Sequence, residues 1–206
     1  MNKIQEKEMN IVQRFSIIIS VLTALVVFIA GLTSVLNIRI PSLIFGLLLV
    51  PIFITLMACL HYNVKKDIKL FSLLGVIFAC MYGVLISFNY YLQLTLMESN
   101  PSGLELFDMS NPNSMMFVIE VLGYFFMGLS TLFAAYVFGI TLLERIIKSL
   151  FILNGVLGIG GLIGYAASLS LNILMIGLMI WNIIMPVSAV LMLFYFKKQV
   201  NATNNG

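Results

Sequence analysis

SLFILNGVLGIGGLIGYAASLSLNILMIGLMIWNIIMPVSAVLMLFYF, residues 149–196, is a run of 48 residues without a charge. The hydrocarbon core of a bilayer takes about 20 residues of helix, so the run is twice too long for one crossing. It predicts two helices folded back on each other, over about 149–169 and 172–196. The turn is expected from Ser168 to Asn172, where Ser168, Ser170 and Asn172 interrupt an otherwise apolar stretch.

Four more apolar runs lie upstream, over about 15–36, 40–62, 70–96 and 115–139. The first of them, Phe15 to Leu36, is longer than the apolar core of a signal peptide and reads as a retained helix. The expected fold is therefore an all-α membrane protein. It is a six-transmembrane-helix bundle, one integral membrane domain over residues 1–206, with a single long outer loop, 97–114.

Basic residues set the expected orientation. Lys3, Lys7 and Arg14 precede the first span, and Lys65, Lys66 and Lys69 separate the second from the third. Arg145 and Lys148 stand before the fifth span, Lys197 and Lys198 after the sixth. Ten of the eleven Lys and Arg thus fall on one side; the other has Arg39, with Glu98, Glu105 and Asp108. The positive-inside rule then puts both termini in the cytoplasm, N-in and C-in, in a multi-pass protein of the cell (plasma) membrane. In that topology the Asn201-Ala202-Thr203 sequon is cytoplasmic and reads as chance. The tail from Gln199 is expected to fray. Ile4 to Arg14 either extends the first helix or lies on the inner leaflet.

Composition agrees with a lipid-facing surface. The chain is 61% hydrophobic and 9% charged, with a mean hydropathy of +1.09, where soluble domains hold about 25% charged residues. The net charge of +3 comes from short loops and forms no basic stripe, which argues against nucleic acid as a partner. The expected partners are the lipid bilayer, a small-molecule ligand, and a second copy or a membrane partner subunit. Cys59, Cys80 and His61 cannot make a Cys/His zinc site alone. No metal and no cofactor is expected, and both cysteines read as packing residues. His61 and Tyr62 read as interfacial rings beside Lys65.

The residues that break the apolar rule are the candidate site. Glu120 is the only carboxylate inside a predicted span, roughly 7–8 Å from the start of its helix. A charge near mid-membrane costs about 2.5–3.5 kcal/mol on insertion scales unless it is neutralised, paired or hydrogen-bonded. Arg39, Asn89, Tyr90 and Gln93 fall near the same end of the bundle, and Tyr124 is one turn along from Glu120. These six residues are the expected lining of an outer-half polar cavity. Glu120 would recognise a cationic or hydrogen-bonding ligand there, or take part in proton movement; a structural pair with Arg39 is the competing reading. Asn182 joins the ligand-binding candidates because Pro186, one turn on, withholds a donor from its carbonyl. A simple kink is the competing reading there, as it is for Pro51.

Two further features bear on architecture. Gly75, Ala79, Gly83 and Ser87 recur every four residues, and so do Gly160, Gly164 and Ser168, as helices in close contact require. In the loop, Asn100-Pro101 and Asn111-Pro112 each supply a turn. Leu104, Leu106, Phe107 and Met109 between them could make an apolar turn, either a lid or a plain connector. A calcium site from Asp108, Ser110 and Asn113 lacks regular ligand spacing.

The segments Tyr90-Tyr91-Leu92-Gln93-Leu94-Thr95, Glu120-Val121-Leu122-Gly123-Tyr124 and Leu143-Glu144-Arg145 resemble a small family of prokaryotic six-span membrane proteins with no assigned activity. That resemblance implies membrane location only. Length, span number and terminal orientation are also similar to the substrate-binding subunits of energy-coupling vitamin transporters. Here the likeness stops at architecture, since Ala24 and Ala30 are six apart and form no alanine-pair stripe. Enzymatic function is not expected and no catalytic residue is assigned. Ser130 has no histidine partner and Glu120 no second carboxylate. The expectation is a protein that binds or moves a small ligand near Glu120. The alternative is a non-catalytic assembly or regulatory subunit acting through its small-residue helix faces.

Overall fold

The computed structural model describes residues 3–99 and 111–204, and these are all-helical. Six long helices follow in order: α1 (Lys3–Val35), α2 (Arg39–Tyr62), α3 (Lys69–Ser99), α4 (Met115–Ala134), α5 (Leu142–Ala166) and α6 (Leu171–Asn204). All six are long and apolar enough to cross a membrane. Each packs on the next in sequence, and α6 returns to pack on α1, so the helices close into a ring. Four of the five connections are short, which makes sequence neighbours antiparallel.

Boundaries moved where local chemistry differs from hydropathy. Residues 4–14 continue α1 rather than lying across it. Helix α5 starts seven residues before the apolar run because Thr141 and Glu144 form a capping box. The Thr141 amide donates to Glu144 Oε2 (3.1 Å) and the Glu144 amide to Thr141 Oγ1 (3.4 Å). Helix α4 ends at Ala134, short of the expected 139, in a 3-10 turn Ala135–Val137. Phe138 stops it: its backbone is extended and its ring is fixed edge-on against Phe151 (5.4 Å) and Tyr195 (5.3 Å). The turn between α5 and α6 spans 167–170, with Ser168 in the left-handed region at φ 55°. The expected frayed tail is instead helical to Asn204, since no Gly or Pro interrupts it before Gly206.

In the long connection, Asn111 Oδ1 accepts from the Asn113 amide (3.0 Å). Ser114 caps α4 by accepting from the Phe117 amide (3.1 Å). The expected apolar turn at Leu104, Leu106, Phe107 and Met109, the turn at Asn100-Pro101, the carboxylates Glu105 and Asp108 and the calcium reading through Asp108 and Ser110 lie outside the described residues.

The two halves of the ring differ. Toward the end carrying Lys65, Lys66, Arg145 and Lys148 the interior is solid. Phe53, Met57, Leu60, Met127, Ile147, Phe151, Met192 and Phe196 are almost completely buried there. On α1, Ser16, Ser20 and Thr23 face inward and are fully buried. Each returns its hydroxyl to a carbonyl four residues earlier, so three polar groups enter the interior already satisfied. Asn63 Nδ2 ties this end together by donating to Ser16 Oγ (3.2 Å) and to the Cys59 carbonyl (2.7 Å). His61, expected to be a plain interfacial ring, meets Ser72 Oγ through Nδ1 (2.8 Å). Cys59 is buried, but Cys80 is exposed. It follows the buried Ala79 and so turns about 100° away from the interior.

Small residues bring the helices together within the chain. A β-carbon on Gly75 would stand 3.1 Å from the Ser130 carbonyl oxygen, and Ser130 Oγ donates to the Gly75 carbonyl (2.7 Å). Gly83, two turns on, faces Ile54 and Val50 of α2. The α3 stripe therefore serves two neighbours at once, α4 and α2. Helices α4 and α5 also approach closely, where Gly128 and Gly158 face each other backbone to backbone. Many large apolar side chains on the outer circumference are exposed, among them Phe28, Val84, Ile163 and Ile183.

Candidate functional site: a polar-walled cavity in one half of the ring

At the end opposite the basic loops the same six helices line a cavity of roughly 660 Å³. Its floor is a line of rings crossing the bundle from α2 to α6. Phe53 meets Tyr82 edge-on (5.7 Å), Tyr82 leans on Tyr124 (6.4 Å), and Tyr124 meets Trp181 edge-on (5.1 Å). Phe53 belongs wholly to the packed half, whereas Tyr82, Tyr124 and Trp181 also line the cavity. These rings separate the solid half from the hollow one.

One wall, built by α3 and α4, is polar. Glu120, on the second turn of α4, accepts from Asn89 Nδ2 at Oε2 (3.2 Å) and from the Tyr90 hydroxyl at Oε1 (3.2 Å). Asn89 is fully buried behind it. Its Nδ2 also donates to the Met116 carbonyl (3.2 Å), and its Oδ1 accepts from Gln93 Nε2 (3.1 Å). The Tyr90 and Tyr124 hydroxyls meet at 3.5 Å. Glu120, Tyr90, Gln93 and Tyr124 reach the cavity, while Asn89 supports them from the interior. The i, i+4 spacing of Asn89 and Gln93, and of Glu120 and Tyr124, stacks these groups on the facing sides of two neighbouring helices.

Arg39 does not belong to this group. It opens α2 at the same end of the bundle but is exposed, does not line the cavity and forms no ion pair with Glu120. A shared end is not a shared face: Arg39 is exposed, and the carboxylate accepts from neutral donors instead. Asn182 does line the cavity, yet apart from the Glu120 network. Its Nδ2 donates to the Leu178 carbonyl on its own helix (3.1 Å), and its Oδ1 lies 2.8 Å from where a β-carbon on Gly31 would stand. Helix α6 stays α-helical through Pro186, as α2 does through Pro51.

Further lining residues were not singled out from the sequence. Asn154 is buried at the cavity's edge and donates to Thr131 Oγ1 (2.9 Å). Its signal, an amide inside the 48-residue run, is the same one that marked Asn182. Trp181, the only tryptophan in the chain, sits 8% exposed with its indole N–H unpartnered. Gly46 is required by shape, because a β-carbon there would run into the Tyr90 ring. Among the described residues no cluster of three His, Cys, Asp or Glu side chains is gathered.

Comparison of the chain with protein-family models, with curated proteins and with solved structures found no match.

Proposed function

We propose that this chain is a multi-pass protein of the cell membrane, both termini cytoplasmic, that binds or moves a small ligand through the cavity around Glu120. The observation that carries the reading is the cavity itself, roughly 660 Å³ and within the usual size of small-molecule sites, about 300–1,000 Å³. A bundle that needed only to be stable would fill that volume, because empty space forfeits dispersion contacts. The basic residues gathered at the solid end support the cytoplasmic placement of that end, which leaves the cavity on the outer side.

Glu120 supports a ligand that carries a strong hydrogen-bond donor. A carboxylate offers about four acceptor sites, and two are taken by Asn89 and Tyr90. A ligand with an ammonium or another strong donor would use the rest and neutralise the charge. The role is non-catalytic in this reading: one carboxylate with amide and phenol neighbours binds and orients but has no partner for acid–base work. The alternative is an assembly subunit acting through small-residue stripes; the α3 stripe is used inside the chain by Gly75 and Gly83, which leaves Gly160 on α5 for such a role.

A thermal-shift series on purified protein with small alkylamines tests the reading. Ligand at 100 times its Kd stabilises the native chain by about 2.7 kcal/mol, and Glu120→Gln removes that gain at the same concentration. Equal stabilisation of both proteins by every amine would refute it.

A further inference from the structure

Two side-chain amides that line the cavity, Gln93 and Asn182, are each held in one orientation. Asn182 Nδ2 donates to the Leu178 carbonyl; a carbonyl only accepts, so the nitrogen must stand there. Asn89 is fixed in the same manner, because its Nδ2 donates to the Met116 carbonyl and to Glu120 Oε2. Its Oδ1 is thereby settled as an acceptor, and Gln93 must offer it Nε2. What Gln93 and Asn182 keep for a ligand is an amide oxygen. Together with the Glu120 carboxylate, these oxygens are acceptors.

They stand on opposite walls. Each helix packs on the next around the ring, so α6 lies three places from α3, and α1 three places from α4. Gln93 and Glu120 belong to α3 and α4. Asn182 belongs to α6, and its Oδ1 lies 2.8 Å from where a β-carbon on Gly31 of α1 would stand, so the glycine leaves room for the amide. Gly31 is four residues from the end of α1 and Glu120 five from the start of α4, depths of about 6 and 7.5 Å. Between these walls, α2 and α5 line the cavity with Leu43, Leu49 and Leu157. Among the described lining residues Glu120 alone is charged. It balances one cation; a second, at Asn182, would face a neutral amide, and an unbalanced charge at this depth is costly.

We propose that the cavity's ligand is an amino alcohol that spans it, with one ammonium at Glu120 and a neutral hydroxyl donating to Asn182 Oδ1 on the facing wall. The ammonium also donates to Gln93 Oε1, and the hydrocarbon between the two groups lies along the leucines of α2 and α5. This rests on the cavity being an amine site and adds the ligand's class and the residue that selects its second group.

Trp181, the sole tryptophan, lines the cavity next to Asn182 and reports occupancy through its emission. The protein in phosphatidylcholine nanodiscs is titrated with straight-chain amino alcohols of four to eight carbons, and with the alkylamine and the diamine of each length. For at least one length the amino alcohol is expected to half-saturate about fivefold or more below both, since an analogue that leaves a buried acceptor unpaired is penalised. Asn182→Ala should reduce that preference to about twofold or less, as only one hydrogen bond sets it. Asn182→Asp supplies a second carboxylate and should turn the preference toward the diamine, a gain that misfolding cannot produce. Cys80→Ala, exposed and outside the cavity lining, should behave as the native protein does.

Native protein that prefers the alkylamine or the diamine at every length, or a preference for the amino alcohol that persists in Asn182→Ala, overturns the inference and leaves the amine site standing. If Asn182→Ala does not fold, an undiminished preference for the amino alcohol in Asn182→Asp overturns it instead. Amines that titrate Glu120→Gln as they titrate the native protein would overturn the cavity reading beneath it, so the two failures are distinguishable.

Discussion

Replacing Gly158 by leucine will prevent the bundle from forming, while the same replacement at Gly160 will be tolerated. A β-carbon at Gly158 would stand 2.8 Å from the Tyr124 carbonyl oxygen and 3.0 Å from the Gly128 α-carbon. Both are backbone atoms of α4, so no rotamer change can relieve the contact. Overpacking that side chains can absorb costs about 1–3 kcal/mol. Forcing two helix backbones apart removes the neighbouring contacts as well and exceeds the upper end of that range. Helix separation would also pull Tyr124 from Trp181 and open the cavity floor. Gly160 lies on the same helix with nothing within 4 Å, so its leucine variant controls for the loss of glycine itself. Size-exclusion profiles and thermal unfolding should show a folded Gly160→Leu protein and an aggregated or absent Gly158→Leu protein. Equal stability of the two would mean that α4 and α5 do not approach as described.

Gly46→Val should leave a folded protein that recognises amines more weakly. The new side chain would occupy the place of the Tyr90 ring, which must swing away from Glu120. The lost hydrogen bond is to a charged group, worth about 1.5–3 kcal/mol. That predicts a fall in amine affinity of roughly ten- to a hundredfold. Stability should drop by about 1–3 kcal/mol from the overpacking. Removing the ring in the double variant Gly46→Val/Tyr90→Ala should relieve the overpacking but not recover the binding. Such non-additivity is the mark of two residues in contact. Binding restored along with stability would show that Tyr90 only fills space.

The six helices were readable because long uncharged runs leave few other structures, and the 48-residue run had room for two. Their ends were less readable, because caps are made of polar residues that hydropathy passes over. Thr141 and Glu144 look like loop yet begin α5, and Phe138 looks like helix yet ends α4. Within the site, a polar residue inside an apolar run is a strong signal, and it picked out Glu120, Asn89, Tyr90, Gln93 and Tyr124. The structure brings these five together. Arg39 was misplaced because sequence gives an approximate depth but not the azimuth of a side chain around its helix. Gly46, Tyr82 and Trp181 were missed as a group. Their importance lies in which ring meets which gap across the bundle, and that is fixed only when all six helices are in place.

We propose that the ring is hollow toward the outside and solid toward the cytoplasm. Single cysteines placed at Ser42, Val121 and Met192, in a chain with Cys59→Ala and Cys80→Ala, test it with a membrane-impermeant thiol reagent. Ser42 and Val121 line the cavity, and Met192 is fully buried in the packed half. In sealed right-side-out vesicles, the cysteines at 42 and 121 are expected to label and the one at 192 to stay unmodified; in inside-out vesicles none should label. Labelling at 192 from either side, or at 42 and 121 only from the cytoplasmic side, would contradict the account.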